Sequence, residues 1–358
     1  MSSLHPKGRG TSIRPPNRFG ETHTHDDLEH LADDPELLAE LAGSRTVYHP
    51  DRSRSIISEN DSPDLPFRYS LNPYRGCQHG CSYCYARPTH EYLGLSAGLD
   101  FEEQVFVKHE AATLLRDWLA RDRYAPEPIM ISGVTDCYQP AERRFRITRS
   151  CLEVALTARQ PVTIVTKNAL VTRDLDLLTQ LASQNLVAVA ISITTLRPEL
   201  VADLEPRTSR PAARLRALQQ LSDAGIPTRV MLAPIIPGLN DNEIPAILQA
   251  AADAGARSAG YILLRLPYAV KPIFLDWLAR ARPTHADKIE SLIRSTRDGG
   301  LSNSEWGKRF RGTGPIAQQI QQTFEVFRRR CGLDQPQPPL DTSLFHPPAP
   351  ASGQLRLF

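Results

Sequence analysis

The stretch Asn72-Pro73-Tyr74-Arg75-Gly76-Cys77-Gln78-His79-Gly80-Cys81-Ser82-Tyr83-Cys84-Tyr85 puts three of the chain's six cysteines within eight positions, spaced C-x3-C-x2-C. Two glycines and a proline favour a loop that wraps thiolates round a centre, over a regular helix or strand. Three adjacent thiolates have two main uses. Structural zinc takes four protein ligands, and His79 or His90 stands ready as the fourth. An iron-sulfur cluster takes cysteine thiolates and, with three supplied, leaves one iron free for another ligand. Structural zinc sites usually come as two separated knuckles, and Cys137, Cys151 and Cys331 are isolated from one another. The spacing therefore favours iron-sulfur. Six cysteines in 358 residues are also too few for a secreted disulfide scaffold, which predicts a reducing, cytoplasmic setting.

On the C-terminal side the pattern alternates. Apolar or β-branched runs at 105–107, 128–132, 161–166, 187–194, 228–233 and 259–266 have the composition of buried parallel strands. Between them, 110–121, 148–158, 170–183, 210–224 and 243–254 carry apolar residues at three- and four-residue spacing, with Gly225 and Gly255 where helix C-caps belong. Six such units predict an α/β fold with a parallel sheet and right-handed crossovers. Periodicity leaves a partial (β/α)6 TIM-like barrel and a doubly wound open sheet equally open. The cysteine run is expected to precede the first core strand. Residues 271–332 read as further helices, with Ile320, Phe324 and Phe327 sharing one face.

The outer segments differ in composition. Residues 1–64 mix Pro and Gly with segregated charge, including an acidic stretch at 21–40 and a short amphipathic pattern at 34–43, and are expected to be a mostly mobile extension. Residues 333–358 begin with a proline-rich stretch expected to be extended and solvated. The organisation predicted is thus 1–64, a core at 65–270, helices at 271–332 and a tail. Hydrophobic residues at 41% are enough for a sizeable core, which excludes full disorder. Lys and Arg number 42 against 40 Asp and Glu, so any nucleic-acid footprint must be local. The longest apolar runs, such as 186–191, are far too short for a membrane helix, so no membrane partner is expected.

The triple-cysteine loop, with Tyr83 just before the third cysteine and a repeated βα array behind it, resembles the radical S-adenosylmethionine (radical SAM) superfamily over roughly 65–270. The text at 72–88, then SGVTDCYQPAE (132–142), TKN (166–168), SITT (192–195) and APIIPGLND (233–241), is similar to the branch related to spore photoproduct lyase, the radical-type DNA repair photolyases. The resemblance implies a partial (β/α)6 barrel of the radical SAM type. It implies that Cys77, Cys81 and Cys84 hold a 4Fe-4S cluster whose fourth iron chelates S-adenosylmethionine. One electron, from a donor such as flavodoxin or ferredoxin, then cleaves the cofactor to methionine and a 5′-deoxyadenosyl radical that abstracts hydrogen from substrate.

By the same resemblance, Tyr83 lies against the adenine or the cluster. Thr135 and Asp136 handle the amino acid end of S-adenosylmethionine, Lys167 pairs with its carboxylate, and Ser192 reaches the ribose. Each is equally a polar residue of the kind that commonly ends a strand. Tyr85 matches the tyrosine that returns a hydrogen atom in the lyases. Their cysteine donor is matched here by Gly133, and Cys137, two residues beyond Thr135, either replaces it or is a structural thiol. Arg207 and Arg265 suit an anionic substrate or the cofactor carboxylate, and equally a buried ion pair. The expected substrate is a nucleic-acid lesion. The rival readings are a protein or small-molecule substrate for the same chemistry, and a non-enzymatic zinc module.

The C-terminal residues Gln354, Leu355, Leu357 and Phe358, in the order Gln-Leu-Arg-Leu-Phe, resemble the peptide by which bacterial repair proteins dock on the DNA sliding clamp. Spaced apolar anchors on a tether are suited to weak, pocket-filling recognition. Basic residues at the N-terminus (Lys7, Arg9, Arg14, Arg18) and near 308–330 supply two further candidate contacts for a DNA substrate.

Overall fold

Short runs of Val, Ile, Tyr and Leu pair side by side because each strand satisfies its neighbour's backbone polar groups while burying its own side chains. The computed structural model describes residues 8–20 and 45–349. The strands among these are β1 (Val47–Pro50), β2 (Ile57–Glu59), β3 (Tyr69–Leu71), β4 (Tyr74–Arg75), β5 (Gln104–Val107), β6 (Ile129–Ile131), β7 (Val162–Thr166), β8 (Val187–Ser192), β9 (Thr228–Ile235) and β10 (Ser258–Leu263). One sheet runs β10-β9-β8-β7-β6-β3-β2, and a smaller one runs β1-β5-β4. From β3 to β10 every pairing in the large sheet is parallel and sequential, and β2 is added antiparallel at the edge. β10 is not paired with β3, so the six parallel strands form an open arc.

The side-chain pattern shows which α/β arrangement this is. β7 and β9 alternate fully buried residues (Val162, Ile164, Thr166; Thr228, Val230, Leu232) with half-buried ones (Thr163, Val165; Arg229, Met231). At β7 and β9 the half-buried face lines a partly open lumen, whereas β8 and β10 are buried on both faces, and the open parallel arc agrees with a partial barrel. The covering helices Ala111–Leu119, Ile147–Ala158, Leu175–Ala182, Pro211–Asp223 and Ile244–Asp253 fall where the apolar spacing places them. Gly225 (φ 76°) and Gly255 (φ 85°) close two of them in the left-handed conformation that glycine adopts without a Cβ clash. Further helices follow at Val270–Ala281, Ala286–Ser295 and Gly314–Arg330, the last burying Ile320 and Phe324 and half-burying Phe327. No helix among the described residues is long and apolar enough to cross a membrane.

One strand assignment is corrected. The run at 105–107 is a strand, but it pairs with β1 and β4 in the small sheet. The first barrel strand is β3, which pairs in parallel with β6. Its three residues, Tyr-Ser-Leu, are too few for a period to show. The cysteine loop therefore leaves the C-terminal end of the first barrel strand instead of preceding it, and this places the thiols at the mouth of the barrel.

Both outer segments are more closely attached than their composition suggests. Residues 8–18 strap the cysteine loop from outside. Buried Arg9 donates to the Glu102 carbonyl (2.9 Å), the Gly10 N–H donates to the Glu102 carboxylate (3.0 Å), and Arg18 pairs with Glu91 (2.6 Å). A Cβ on Gly10 would sit 1.6 Å from the Gly80 carbonyl oxygen, so only glycine permits this approach. At the other end Leu333 is fully buried, Asp334 bridges to Ser258, and the backbone N–H groups of Asp341 and His346 donate to Asn185 (3.0 Å) and Ala158 (2.8 Å). The proline-rich segment is extended as expected but lies along the barrel, with Phe345 edge-on to Tyr124. The acidic stretch, the 34–43 pattern and the terminal Gln354–Phe358 peptide lie outside the described residues.

Candidate active site

The loop bearing the three cysteines is held by buried polar groups at each turn. Gly76 (φ 79°) and Gly80 (φ 66°) take left-handed backbone conformations. The Cys77 N–H donates to Phe101 O (2.9 Å), and the Ser82 N–H to Leu204 O (3.1 Å). Arg87, fully buried, donates to the carbonyls of Cys81 (3.0 Å), Gly80 (3.2 Å) and Gly98 (3.0 Å) and pairs with Glu102 (2.6 Å). Gln139 accepts from the Gln78 N–H (2.9 Å) and donates to Gly76 O (3.1 Å). A charge-assisted fork inside a loop is what fixes ligands before they meet a metal.

Cys77 and Cys81 are buried, and Cys84 is half-buried. Burial, then the neighbouring Cys77, pushes the Cys84 thiol up to about 11, and burial and Glu205 push Cys81 well above the usual range. These thiols are poor anions unless a metal supplies positive charge, which deprotonates a coordinating thiol outright. The donor set fits a four-iron cluster with one open corner. Cys137 and Cys151 are packed in the main core, so the loop offers three sulfurs and no fourth. Of the two candidate zinc histidines, His79 lies against Cys77 and is held by Asp136 (3.3 Å) and Asn168 (3.1 Å), and His90 contacts the Gln104 carbonyl (2.9 Å).

The strand ends bring some of the expected residues together and assign others to support. Lys167, after β7, donates from Nζ to Ser192 Oγ (3.0 Å) and lies 5.8 Å from the Tyr83 ring centroid. Ser192 itself bonds to the carbonyls of Met231 (3.3 Å) and Ala233 (3.2 Å). Lys167, Ser192 and Tyr83 thus form one group facing the cysteine loop. Thr135 spends its hydroxyl on Tyr74 O (2.8 Å). Asp136 accepts from Thr166 Oγ1 (2.7 Å), the Lys167 N–H (2.8 Å) and the Tyr138 N–H (2.9 Å). Burial would raise its carboxyl, but His79 and these donors hold it down at about 2, so Asp136 stays a carboxylate that orients His79 within the loop.

Tyr85 directs its hydroxyl to Gly133 O (2.7 Å) and leaves its ring half exposed, with the Arg265 guanidinium 5.9 Å from the ring centroid. Cys137 is fully buried in the main core, and burial raises its thiol far above the usual range. Arg207 donates from its side chain to Gly8 O (2.9 Å) and from its backbone N–H to His79 O (3.3 Å), and so ties the strap to the cysteine loop.

Sequence reasoning missed the group beneath Tyr83. Its hydroxyl donates to Glu205, which also accepts from Thr194 (2.6 Å) and pairs with Arg214, both charged side chains being fully buried. Arg214 adds bonds to Ser192 O (2.9 Å), Ser209 O (2.8 Å) and Thr208 Oγ1 (2.6 Å). Burial would raise Glu205, yet Arg214 and Lys167 bring it down to about 2. Arg214 reads in sequence as one more cation on an amphipathic helix. Only its lack of an i+4 acid and a neighbouring Pro211 cap hinted otherwise.

Comparison with known proteins agrees with this geometry. Residues 71–251 match the Radical SAM superfamily model. An uncharacterised protein of Mycobacterium tuberculosis is 40% identical over 251 residues, 69% of this chain and 74% of that one. Another from Methanocaldococcus jannaschii is 32% identical over 176 residues, 49% of this chain and 63% of its own. Among solved structures, spore photoproduct lyase complexed with dinucleoside spore photoproduct superposes with a TM-score of 0.58 at 17% identity, covering 80% of this chain and 79% of that one. A lyase variant reaches a TM-score of 0.59 at 17% identity, covering 80% of each. At that identity the likeness shows the fold. With three thiols at the mouth of a parallel arc and a family match over half its length, the chain belongs to the radical SAM superfamily, whose enzymes use a 4Fe-4S cluster and S-adenosylmethionine.

Proposed function

We propose that this radical SAM enzyme acts on a nucleic-acid lesion, with Cys77, Cys81 and Cys84 as the cluster ligands. When bound, the cluster and S-adenosylmethionine supply a carbon radical able to take hydrogen from unactivated carbon. The protein's own groups do the rest. Lys167, steadied by Ser192, offers its ammonium to the cofactor carboxylate, and Tyr83, anchored on Glu205, presents a fixed ring face beside it. Asp136 acts through His79, and Thr135 braces the loop after β6.

The observation that carries the reading is Tyr85. It directly follows a cluster cysteine, its ring is half exposed at the mouth, and a guanidinium stands beside it. Tyr85 is in reach of a substrate and is our candidate for returning the hydrogen atom, whereas Cys137, enclosed in the core, is better suited to packing. Anaerobic turnover of an irradiated oligonucleotide deuterated in its bases tests the reading, because hydrogen taken from the substrate ends in 5′-deoxyadenosine. Deuterium in that product together with a repaired base supports it, and 5′-deoxyadenosine that stays unlabelled with no repair overturns it. Tyr85→Phe should leave S-adenosylmethionine cleavage intact and lower product formation about tenfold or more, roughly 1.4 kcal/mol of barrier. Unchanged product formation removes Tyr85 from hydrogen transfer.

An electron donor is required, and a flavodoxin or ferredoxin is the proposed source. The clamp peptide stays a proposal. With His346 tied to Ala158, its tether is shorter than a tail starting at residue 333. Deleting residues 354–358 should abolish pull-down by the sliding clamp and leave 5′-deoxyadenosine production unchanged; an undiminished pull-down dismisses the docking.

A further inference from the structure

Among the described residues Arg265, just beyond β10, is a cation without a paired carboxylate. Its Nε is buried and makes no hydrogen bond, and no acidic side chain among the described residues lies within ion-pair distance of it. Its guanidinium lies 5.9 Å from the Tyr85 ring centroid and 5.1 Å from that of Phe310. Two more guanidiniums stand near and are already used. Arg309 is paired with Asp64 (2.8 Å), and Arg297 donates to the carbonyls of Leu263 (3.1 Å), Leu264 (2.6 Å), Lys308 (3.1 Å) and Arg309 (3.0 Å). The acids facing this group are spent as well. Asp64 also accepts from the Gly307 N–H (2.9 Å), and Asp298 accepts from Thr313 (2.7 Å) and Asn303 (3.2 Å). Burial and Arg309 lower the Arg265 guanidinium, against a smaller opposing pull from Tyr85 and Asp64.

A partly buried charge without a partner is costly and is tolerated where a ligand completes it. A guanidinium fork matches a phosphate oxygen pair. The surroundings select the substrate over the cofactor. The Lys167–Ser192 pair, beside Tyr83 at the ends of β7 and β8, is the group proposed above for the cofactor carboxylate, whereas Arg265 follows the edge strand β10, two strands from β8, and stands beside Tyr85. Exposed aromatic rings accompany it: Tyr85 is 50% exposed, and Tyr268, three residues on, is 63% exposed with the Arg18 guanidinium 3.9 Å from its ring centroid. A cation beside an exposed ring is the arrangement by which unstacked bases and their backbone are held together.

We propose that Arg265 binds a phosphate group of the substrate and so positions the reacting base at Tyr85. This rests on the nucleic-acid reading above and adds the contact that recognises it. Two sources carry such a group, a strand phosphodiester and a free nucleotide. Both are tested anaerobically on the cluster-loaded protein, with fluorescein-labelled single-stranded oligothymidylate and with thymidine monophosphate.

Arg265→Gln should weaken oligothymidylate binding about tenfold or more and lower the salt dependence by about one phosphate contact, while S-adenosylmethionine affinity is unchanged. Arg265→Lys, which keeps the charge and loses the fork, should recover part of that affinity and controls for folding. Oligothymidylate affinity unaltered in Arg265→Gln overturns the proposal and leaves the nucleic-acid reading standing. An equal loss of S-adenosylmethionine affinity also overturns it, because the group would then belong to the cofactor. Arg265-dependent binding of the monophosphate without binding of the strand supports the phosphate contact and defeats the nucleic-acid strand as substrate.

Discussion

Replacing Cys77, Cys81 or Cys84 by Ala is expected to abolish reductive cleavage of S-adenosylmethionine and the visible absorbance of the reconstituted cluster. Removing a group that merely supports a metal ligand commonly costs about 10- to 100-fold, and loss of a ligand itself should exceed that. The structure offers no replacement. Cys137 and Cys151 are enclosed in the main core, and His79 is engaged by Asp136 and Asn168. The measurement is iron and sulfide content after anaerobic reconstitution, together with 5′-deoxyadenosine formation on reduction with dithionite. A variant that keeps both cluster and cleavage removes that cysteine from the ligand set. A colourless wild-type protein carrying stoichiometric zinc removes the iron-sulfur role from the whole loop.

The second large effect is on stability. Glu205→Ala leaves Arg214 buried with no counter-charge, and breaking a buried pair from one side costs about 3–5 kcal/mol. Arg214→Met should cost a similar amount by stranding Glu205. The double variant Glu205→Leu/Arg214→Met should be less destabilised than the sum of the two, because it removes both charges together. Urea denaturation of the three variants decides the matter, and a loss below about 1 kcal/mol for Glu205→Ala would mean that water or a neighbour takes over the charge. The Tyr83 hydroxyl loses its carboxylate acceptor in the same variant, and the Thr194 hydroxyl keeps only Ala233 O (3.4 Å), so cofactor binding should weaken along with stability.

The strap and the tail show why composition misleads for outer segments. Arg9, Arg14 and Arg18 read as a solvated basic arm, yet they meet Glu102, Asp100, Glu103 and Glu91, some 70 to 90 residues away in the chain. Segregated charge marks a mobile arm only when its complement is absent, and here the acidic side chains lie on the turns that frame the cysteine loop. Prolines at 335–350 forbid helix and ladder but not an extended run along a barrel, where a few backbone donors and Phe345 suffice for attachment.

What the sequence by itself determined was everything written at short range: three thiols at ligand spacing, five of the six barrel strands, the covering helices and two of their glycine caps. Ligand spacing and hydrophobic period are properties of neighbours along the chain, so they survive without coordinates. The tertiary structure alone decided which short run opens the barrel, that Glu205 and Arg214 lie beneath Tyr83, that Arg207 holds the strap, and that Arg265 stands beside Tyr85 with no ion pair among the described residues. Those are questions of which charge finds which partner once the chain has folded back on itself, and a charge has no period by which its partner can be read.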